Sequence, residues 1–259
     1  MCLLVVVSRL IPGWPLVVAA NRDERYERPS AGVASLRPRP PRTIGGRDLR
    51  AGGTWLAVNE HGVVAGLTNR PAPQGLPAGK RSRGEIPLAL TEASSARTAV
   101  ADFAAASPPG EFNPCWVLVG DRNALYYIDL TQPQRVEPRE LGPGIHVLEN
   151  KPFGEPSAKV QRVAAMLDGL GALGVDEVVE RLRQVLRDHT LTLTGVEGDA
   201  EAQRLVQVSS CCVHTEDYGT RSAMLIRTPS SPAEPPQVWA ADGPSCEHAL
   251  NETSFAPQP

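Results

Sequence analysis

Cys2 is the residue of this sequence best placed to act as a nucleophile, because it directly follows Met1. Removal of an initiator methionine before so small a residue is general and would leave Cys2 with a free α-amine. A thiol with a pKa near ~8.5 beside an α-amine near ~7.7–8.0 combines nucleophile and general base in one residue. Such chemistry needs no catalytic histidine. The alternative is that Cys2 is a buried strand residue, as free cysteines often are.

A second group of candidates is Asn21-Arg22-Asp23-Glu24, four polar residues that directly follow an apolar stretch. If that stretch pairs with the strand that begins at Cys2, the hairpin returns Arg22 and Asp23 to the thiol. Arg22 is then expected to lower the thiol pKa, and Asp23 to hold the amine. The alternative is a solvated loop flank with local charge pairs.

Three further features could indicate a metal site, a nucleotide site or a substrate pocket, but the sequence supports these interpretations less well. Cys211, Cys212 and His214 match no zinc-binding spacing, so we expect a structural or loop role and no metal. The Gly45-Gly46 and Gly52-Gly53 pairs are not followed by a phosphate-loop pattern, so no nucleotide site is expected. Trp55 is expected in the core, with a place in a substrate pocket as the alternative.

Short apolar runs rich in β-branched residues predict antiparallel strands that would position these residues. Three hairpins are expected, and the predicted strands are Leu3 to Val7, Trp14 to Ala20, Gly53 to Val58, Val63 to Leu67, Cys115 to Val119, Leu125 to Ile128, Ile145 to Leu148, Gly219 to Ile226 and Val238 to Ala240. The proline- and arginine-rich segment from Arg25 to Arg50 lacks a sustained period and is expected to be a long surface loop.

Helical spacing of apolar residues predicts four helices. Two short ones are expected between Gly84 and Ala106, one capped by Ser157 and running to Leu167, and one from Val178 to Leu186. The predicted helices come in pairs and do not alternate singly with strands. This order favours a fold in which helices pack outside antiparallel sheets, and it argues against a doubly wound parallel sheet. One domain over residues 1–242 is expected, with a loose tail at 243–259.

The composition is typical of an ordinary globular protein. Of the 259 residues 41% are hydrophobic and 21% charged, and 26 basic against 29 acidic residues give a net charge of −3 without charge blocks, which excludes a basic nucleic-acid surface. Five cysteines in a chain of this length predict reduced thiols in the cytoplasm rather than a disulfide framework. No apolar run approaches the ~20 residues that cross a bilayer, and the first residues are too short a stretch for a signal peptide.

Several linked motifs resemble one known family, the NRDE proteins, also called the TANGO2 family. The motifs are Met1-Cys2, Asn21-Arg22-Asp23-Glu24, Gly53-Thr54-Trp55-Leu56-Ala57, Leu67-Thr68-Asn69-Arg70, Ser82-Arg83-Gly84 and Tyr218-Gly219-Thr220-Arg221-Ser222. The resemblance implies an N-terminal-nucleophile (Ntn) hydrolase-like fold, a four-layer αββα sandwich of two antiparallel sheets between helix layers. This layout is similar to that of cholylglycine hydrolases and penicillin V acylases, which use an N-terminal cysteine on amide bonds.

The resemblance also implies roles for individual residues. Cys2 would be the nucleophile, Arg22 and Asp23 its electrostatic and orienting partners, and Asn69 a side-chain donor to the oxyanion. Arg221 would complete the polar cluster, with Asn150 a weaker candidate for the same wall. Asn21 and Trp55 are the remaining substrate-binding candidates. The alternative for Asn69 is a turn residue that caps its own loop.

Two classes of function follow. The first is a hydrolase or acyltransferase that opens an amide or thioester through a Cys2 acyl-enzyme, with no cofactor. The second is a non-catalytic protein on the same fold, because the resemblance links family members to haem or lipid handling and to Golgi organisation. Small acyl compounds are the expected partners in the first class, and haem or lipid in the second.

Overall fold

Thirteen strands and five α-helices make up the computed structural model, which describes residues 2–72, 75, 77–106, 110–132, 136–194 and 198–255. The strands are β1 (Leu3–Ile11), β2 (Trp14–Arg25), β3 (Ser30–Arg37), β4 (Thr43–Asp48), β5 (Leu56–Asn59), β6 (Val64–Asn69), β7 (Cys115–Gly120), β8 (Leu125–Asp129), β9 (Arg139–Leu141), β10 (Gly144–Leu148), β11 (Tyr218–Thr228), β12 (Gln237–Ala241) and β13 (Asn251–Thr253). The helices are α1 (Glu85–Leu90), α2 (Ala96–Ala106), α3 (Ala158–Met166), α4 (Val175–Leu186) and α5 (Ala200–Gln207), with a 3-10 turn at Leu170–Ala172.

The strands form two sheets whose neighbouring strands all run antiparallel. The first sheet has the order β10-β1-β2-β11-β12-β13 and the second β3-β4-β5-β6-β7-β8-β9. The three hairpins predicted from the sequence are present as β1–β2, β5–β6 and β7–β8.

Alternation along β1 shows why the central strands are apolar throughout. Leu3, Val5 and Val7 face α3 and α4 in one apolar cluster, whereas Leu4 and Val6 face the second sheet in another. Because successive side chains of a strand point to opposite faces, a strand covered on both sides needs an unbroken apolar run. A third cluster packs α1 and α2 on the outer face of the second sheet. The layers therefore follow the order αββα, and the predicted α+β fold class is confirmed.

The four predicted helices are present, and the local chemistry explains where one of them begins. The Ser157 hydroxyl accepts a hydrogen bond from Val160 N at 3.3 Å and caps α3. α4 buries Val178, Leu182 and Val185 on one side, which is the spacing of an amphipathic helix.

The segment from Arg25 to Arg50 is not the surface loop expected from its composition. It holds the end of β2 and the hairpin β3–β4, which pair from Ser30↔Asp48 to Arg37↔Thr43. β3 is an edge strand whose residues are mostly half-buried, so its sequence lacks the apolar alternation of an inner strand.

Helix α5 and the short strands β9 and β13 have no counterpart among the predicted elements. α5 has no buried residue, and Ala202 and Val206, one helical turn apart, are only half-buried. β13 pairs with β12 from Val238↔Thr253 to Ala240↔Asn251, and Leu250 joins the apolar cluster beneath α4. Residues 250–253 thus pack on the body of the domain, which differs from the loose tail expected after residue 242.

None of the helices in the described residues combines the length and the apolar character that crossing a bilayer requires.

Candidate active site

The hairpin β1–β2 brings Cys2 next to the polar end of β2. Leu3 pairs with Asn21, so the residue before Leu3 lies beside Arg22 and Asp23. The Cys2 Sγ lies 3.9 Å from the backbone oxygen of Asp23 and donates to it. The proximity that the sequence predicted from a simple hairpin is therefore present.

Asn150 joins this hairpin to the second sheet. Its side-chain oxygen accepts a hydrogen bond from Cys2 N at 2.5 Å, and its side-chain nitrogen donates to the Asn69 carbonyl at 2.5 Å. The pairing of Leu4 with Leu148 in β10 sets this position, because Asn150 follows β10 by two residues. Asn150 was the weaker candidate in the sequence, yet its side chain contacts the Cys2 nitrogen directly.

Asn69 ends β6 on the opposite side of the site. Its side-chain oxygen is buried and, within the described residues, has no hydrogen-bond partner. The amide is thus not used to cap its own loop, which was the alternative in the sequence. An uncommitted amide at a cavity wall is available to a ligand.

Arg22 lies between the two sheets, with its guanidinium 4.5 Å from the centroid of the Trp55 ring. Its Nη2 is 3.6 Å from the Asp48 carboxylate and 3.9 Å from that of Glu24, and its Nη1 is buried without a hydrogen bond in the described structure. Burial lowers the pKa of Arg22 from its ordinary value. Half-buried Trp55 therefore lines the site and does not lie wholly in the core.

The pKa of the Cys2 thiol is raised overall, although Arg22 acts in the lowering direction that the sequence predicted. Burial is the largest cause, and the Asp23 carboxylate raises the pKa further, whereas Arg22 acts in the lowering direction but more weakly. Desolvation disfavours the thiolate more than the guanidinium favours it. The thiol is therefore protonated at neutral pH until a base removes its proton.

Asp23 is held by the first residues of β11. Its Oδ1 accepts a hydrogen bond from the Thr220 hydroxyl at 2.7 Å, and its backbone oxygen accepts one from the Tyr218 hydroxyl at 2.9 Å. Burial raises the pKa of the Asp23 carboxyl, and the nearby Lys159 opposes this shift. Tyr218 and Thr220 belong to a motif noted in the sequence, but their contact with Asp23 requires the pairing of β2 with β11.

Two candidates from the sequence lie away from the thiol. Asn21 is buried, and its side-chain nitrogen donates to the carbonyls of Leu186 and Cys211, each at 2.9 Å. It ties β2 to the end of α4. The Arg221 guanidinium donates to the carbonyls of Arg25 and Tyr26, and Arg221 is not among the described residues that line the cavity next to Cys2.

A cavity of about 300 Å³ opens beside Cys2 between the ends of the two sheets. Its wall includes five of the predicted residues, namely Cys2, Arg22, Asp23, Trp55 and Asn69. Five basic side chains line it against three acidic ones: Arg22, Arg28, Lys80, Arg81 and Arg83 against Asp23, Glu24 and Asp48.

Arg83 is the main residue of this wall to which the sequence assigned no role. Its Nη1 donates to the Pro114 carbonyl at 3.3 Å, and no carboxylate of the described residues lies within ion-pair distance of it. Burial lowers its pKa. The one signal in the sequence was its position within the Ser82-Arg83-Gly84 motif.

Two glycines explain how Arg83 reaches the cavity. Thr54 N donates to the Gly84 carbonyl at 3.0 Å, and a Cβ added to Gly53 would lie 2.5 Å from the Gly84 carbonyl carbon. Only residues without side chains allow the two backbones to come this close. The contact places the turn that carries Arg83 directly against the segment that carries Trp55.

Comparison with a known structure supports the fold described above. A Caenorhabditis elegans N-acylethanolamine-hydrolyzing acid amidase orthologue superposes with a TM-score of 0.55 at 11% identity, over 87% of this chain and 92% of the other. A variant of the conjugated bile acid hydrolase from Clostridium perfringens gives a TM-score of 0.47 at 11% identity, over 100% and 99% of the two chains, a similarity too low to bear on the fold. The fold is Ntn-hydrolase-like.

Sequence comparison supplies the family. The Transport and Golgi organization 2 homolog of Mus musculus is 29% identical over 230 residues, with 82% of this chain and 81% of the mouse protein covered. The Homo sapiens homolog is 28% identical over 232 residues with the same coverage. The model of the family described as Transport and Golgi organisation 2 matches residues 1–231. The chain therefore belongs to the TANGO2 family.

Proposed function

We propose that this protein is an N-terminal-nucleophile hydrolase that opens an acyl amide or acyl thioester through Cys2. The observation that carries the proposal is the link from Cys2 N to Asn150 and from Asn150 to Asn69, at the wall of a cavity. This link holds the nitrogen that becomes the α-amine once Met1 is removed.

In the acylation step the α-amine of Cys2 takes the thiol proton while Sγ attacks the acyl carbonyl carbon. The raised thiol pKa makes this base necessary, because little thiolate is present at neutral pH. The carbonyl π pair moves to oxygen, and collapse of the tetrahedral intermediate breaks the C–N or C–S bond. The ammonium returns the proton to the leaving amine or thiol.

Asn69 is proposed to donate its side-chain N–H to the oxyanion of that intermediate. Its buried Oδ1 has no hydrogen-bond partner within the described residues, so the amide can turn its N–H toward the substrate without breaking a hydrogen bond of that oxygen. A preorganised donor costs no reorganisation during the reaction. Asn150 acts as a positioning residue, since it holds both Cys2 N and the backbone of Asn69.

Deacylation repeats these steps with water. The α-amine removes a proton from a water molecule while the water oxygen attacks the carbonyl carbon of the Cys2 thioester. The C–S bond then breaks, and the ammonium returns the proton to the Cys2 sulfur. The products are a carboxylic acid and an amine or a thiol, so the net reaction consumes one water molecule.

The charge of the cavity indicates an anionic group on the substrate. Arg83 has no carboxylate partner among the described residues, whereas Arg81 is paired with Glu85 at 2.7 Å and Glu111 at 2.8 Å. A half-buried guanidinium without a carboxylate partner among the described residues favours a carboxylate or phosphate on the ligand. The proposed substrate is therefore an acyl compound that bears such a group.

The test is intact-protein mass spectrometry of the purified chain exposed to acyl amides and acyl thioesters, each in a neutral and a carboxylate-bearing form. We expect loss of Met1 and an acyl adduct that is absent from Cys2→Ala. Cys115→Ala is the matched control, because burial raises the pKa of the Cys115 thiol to about 12 and this residue does not line the cavity. Full turnover by Cys2→Ala would contradict the assignment of Cys2 as the nucleophile.

Steady-state kinetics then separate the roles of the cavity residues. Asn69→Ala is expected to lower kcat on the order of 10²- to 10³-fold with little change in binding. Arg83→Gln is expected to raise KM about 10- to 100-fold for the anionic substrates alone, the cost of one charged hydrogen bond. Arg81→Gln, whose guanidinium is already paired, should leave KM nearly unchanged.

The remaining outcome concerns the second class of function. Retention of Met1 together with no adduct from any donor would contradict the hydrolase proposal. That result would favour a non-catalytic protein that carries haem or a lipid on the same fold.

A further inference from the structure

A second cluster of reactive side chains lies away from the cavity. His189, Cys212, His214 and Cys246 each offer one ligand atom, and these four atoms all lie within 4.8 Å of one another. Cys212 Sγ is 3.6 Å from Cys246 Sγ and 3.6 Å from His214 Nε2, and His214 Nε2 is 3.3 Å from Cys246 Sγ. Two thiols and two imidazoles form the donor set of many zinc sites.

The distances agree with those between ligands of a tetrahedral zinc ion. With Zn–S near 2.3 Å and Zn–N near 2.0–2.1 Å, neighbouring ligand atoms are separated by about 3.8 Å for S···S and about 3.6 Å for S···N. The three measured separations differ from these values by no more than about 0.3 Å. His189 completes the set through a ring whose centroid is 5.1 Å from that of His214, and its exposed side chain can rotate toward the other ligands.

The two thiols are not joined in a disulfide. All five cysteines are free, and the distance of 3.6 Å between Cys212 Sγ and Cys246 Sγ is well beyond an S–S bond of about 2.05 Å. The two sulfur atoms and the imidazole nitrogen are within hydrogen-bond distance of one another, and the same separations suit a cation at their centre. Soft thiolate ligands together with imidazoles favour zinc over magnesium or calcium.

The Glu247 carboxylate lies beside the ring of one of the ligands, His214. The Nδ1 of His214 is 3.8 Å from the Glu247 carboxylate, while its Nε2 faces the two sulfur atoms. Metal-binding histidines commonly direct their other ring nitrogen to a carboxylate, which orients the ring and raises its basicity.

The four ligands come from three separate segments of the chain. His189 follows α4, Cys212 and His214 precede β11, and Cys246 follows β12. Cys212 N donates to the Asp188 carbonyl at 2.9 Å, which holds the first two segments together. The intervals between these positions match no short zinc motif, which is why the sequence predicted no metal for Cys212 and His214.

The segment that carries Cys212 also supports the candidate active site. The neighbouring Cys211 carbonyl accepts a hydrogen bond from the Asn21 side chain, and Val213 N donates to the Thr220 hydroxyl at 2.9 Å. Thr220 in turn donates to Asp23. An ion at the cluster would fix this segment against the end of β2.

We infer that His189, Cys212, His214 and Cys246 bind one Zn²⁺ ion in a structural site. Four protein ligands fill a tetrahedral coordination sphere and leave no position for a substrate. The ion would anchor the segment after β12 to the segment behind the active site. Cys246 lies beyond residue 231, where the match to the family model ends, so the site includes a part of this chain outside that match.

The experiment measures metal content and metal affinity of the full-length reduced chain. We expect about one zinc ion per chain by elemental analysis, and uptake of Co²⁺ by the metal-free protein with the visible absorption of a tetrahedral thiolate site. The Tm of the metal-free chain should rise with the concentration of free Zn²⁺.

His189 and Cys246 are exposed, whereas Cys212 is buried. Substitutions are therefore made at His189 and Cys246, where they are not expected to disturb folding. Cys246→Ser and His189→Ala are expected to lose stoichiometric binding, and Glu247→Gln to weaken it about 10- to 100-fold. His61→Ala, an exposed histidine in the β5–β6 turn, is the matched control and should bind zinc as the wild type does.

Two results would overturn the assignment. One is the absence of metal uptake by the reduced wild-type chain, including protein isolated with a Cys212–Cys246 disulfide and then reduced. The other is equal uptake by the wild type, Cys246→Ser and His189→Ala. Neither result bears on Cys2, so failure of the zinc site and failure of the proposed hydrolase are distinguishable.

Discussion

Asn150 and Asn69 show how two amides can prepare one thiol for reaction. Asn150 uses its oxygen on Cys2 N and its nitrogen on the Asn69 carbonyl, so both ends of its side chain are occupied. The side chain of Asn69 remains available to the cavity. The Asn150 amide fixes the geometry of the site, and the Asn69 amide is left to bind the substrate. Asn150 is buried whereas Asn69 is half-buried, which agrees with these two roles.

The Cys2 thiol gives a prediction of pH dependence. Burial and the Asp23 carboxylate raise its pKa above that of an ordinary cysteine, so the thiolate fraction stays small at neutral pH and grows as the pH rises. The rate of alkylation by a small uncharged reagent should therefore increase with pH, with a midpoint above that of free cysteine measured alongside. Mass spectrometry of the modified peptide measures this rate.

Variants of the neighbouring charges should move that midpoint in opposite directions. Arg22 favours the thiolate, so Arg22→Gln should raise the midpoint, whereas Asp23→Asn should lower it. A midpoint in the wild type well below that of free cysteine would show that burial does not dominate at this thiol.

At the scale of elements, the contact between the Gly53 and Gly84 segments positions two walls of the cavity. The backbone atoms meet where neither residue has a side chain, and a Cβ on Gly84 would lie 2.9 Å from the Gly53 Cα. Because the obstructing atoms belong to the backbone, they cannot move aside as a flexible side chain would.

We predict that Gly53→Ala destabilises the protein and displaces Arg83. Overpacking of this kind costs about 1–3 kcal/mol in the free energy of unfolding, which urea denaturation measures. Gly171→Ala is the control, since a Cβ there has open space and the residue lies in the 3-10 turn. Equal stability of the two variants would contradict the close contact.

The hairpin β3–β4 shows the limit of composition as a guide to elements. Its prolines and arginines suggested a loop, yet Asp48 at its end contacts Arg28 at 2.7 Å and lines the cavity. The pairing of β4 with β5 supplies the hydrogen bonds that make the segment a strand. Those bonds depend on a neighbour in space and leave no periodic pattern in the sequence.

At the scale of the whole molecule, three apolar layers hold the two sheets and two helix layers together. The last described residues close one edge of this arrangement, because β13 pairs with β12 and Leu250 packs beneath α4. The same segment contributes Cys246 to the cluster of potential zinc ligands.

Deletion of residues 243–259 is therefore predicted to destabilise the domain. Loss of the buried Leu250 side chain alone should cost about 1.5–3 kcal/mol, and the edge of β12 would be uncovered. Thermal unfolding in the presence of a chelator measures this loss apart from any effect of metal. Deletion of residues 256–259 removes none of the described contacts and is the control. An unchanged Tm after deletion of residues 243–259 would contradict a stabilising role for that segment.

The sequence by itself predicted three hairpins and four of the helices, because alternating and helical spacing of apolar residues are local properties. The αββα layering and the family followed from the resemblance of its motifs to those of the TANGO2 family. The sequence also predicted that the hairpin brings Arg22 and Asp23 to Cys2. Tertiary structure alone decided that Asn150 contacts Cys2 while Arg221 turns away, that Arg83 enters the cavity, and that His189 and Cys246 meet Cys212. These contacts join residues far apart in the chain, and their geometry is set by strand register and by the packing of the two sheets.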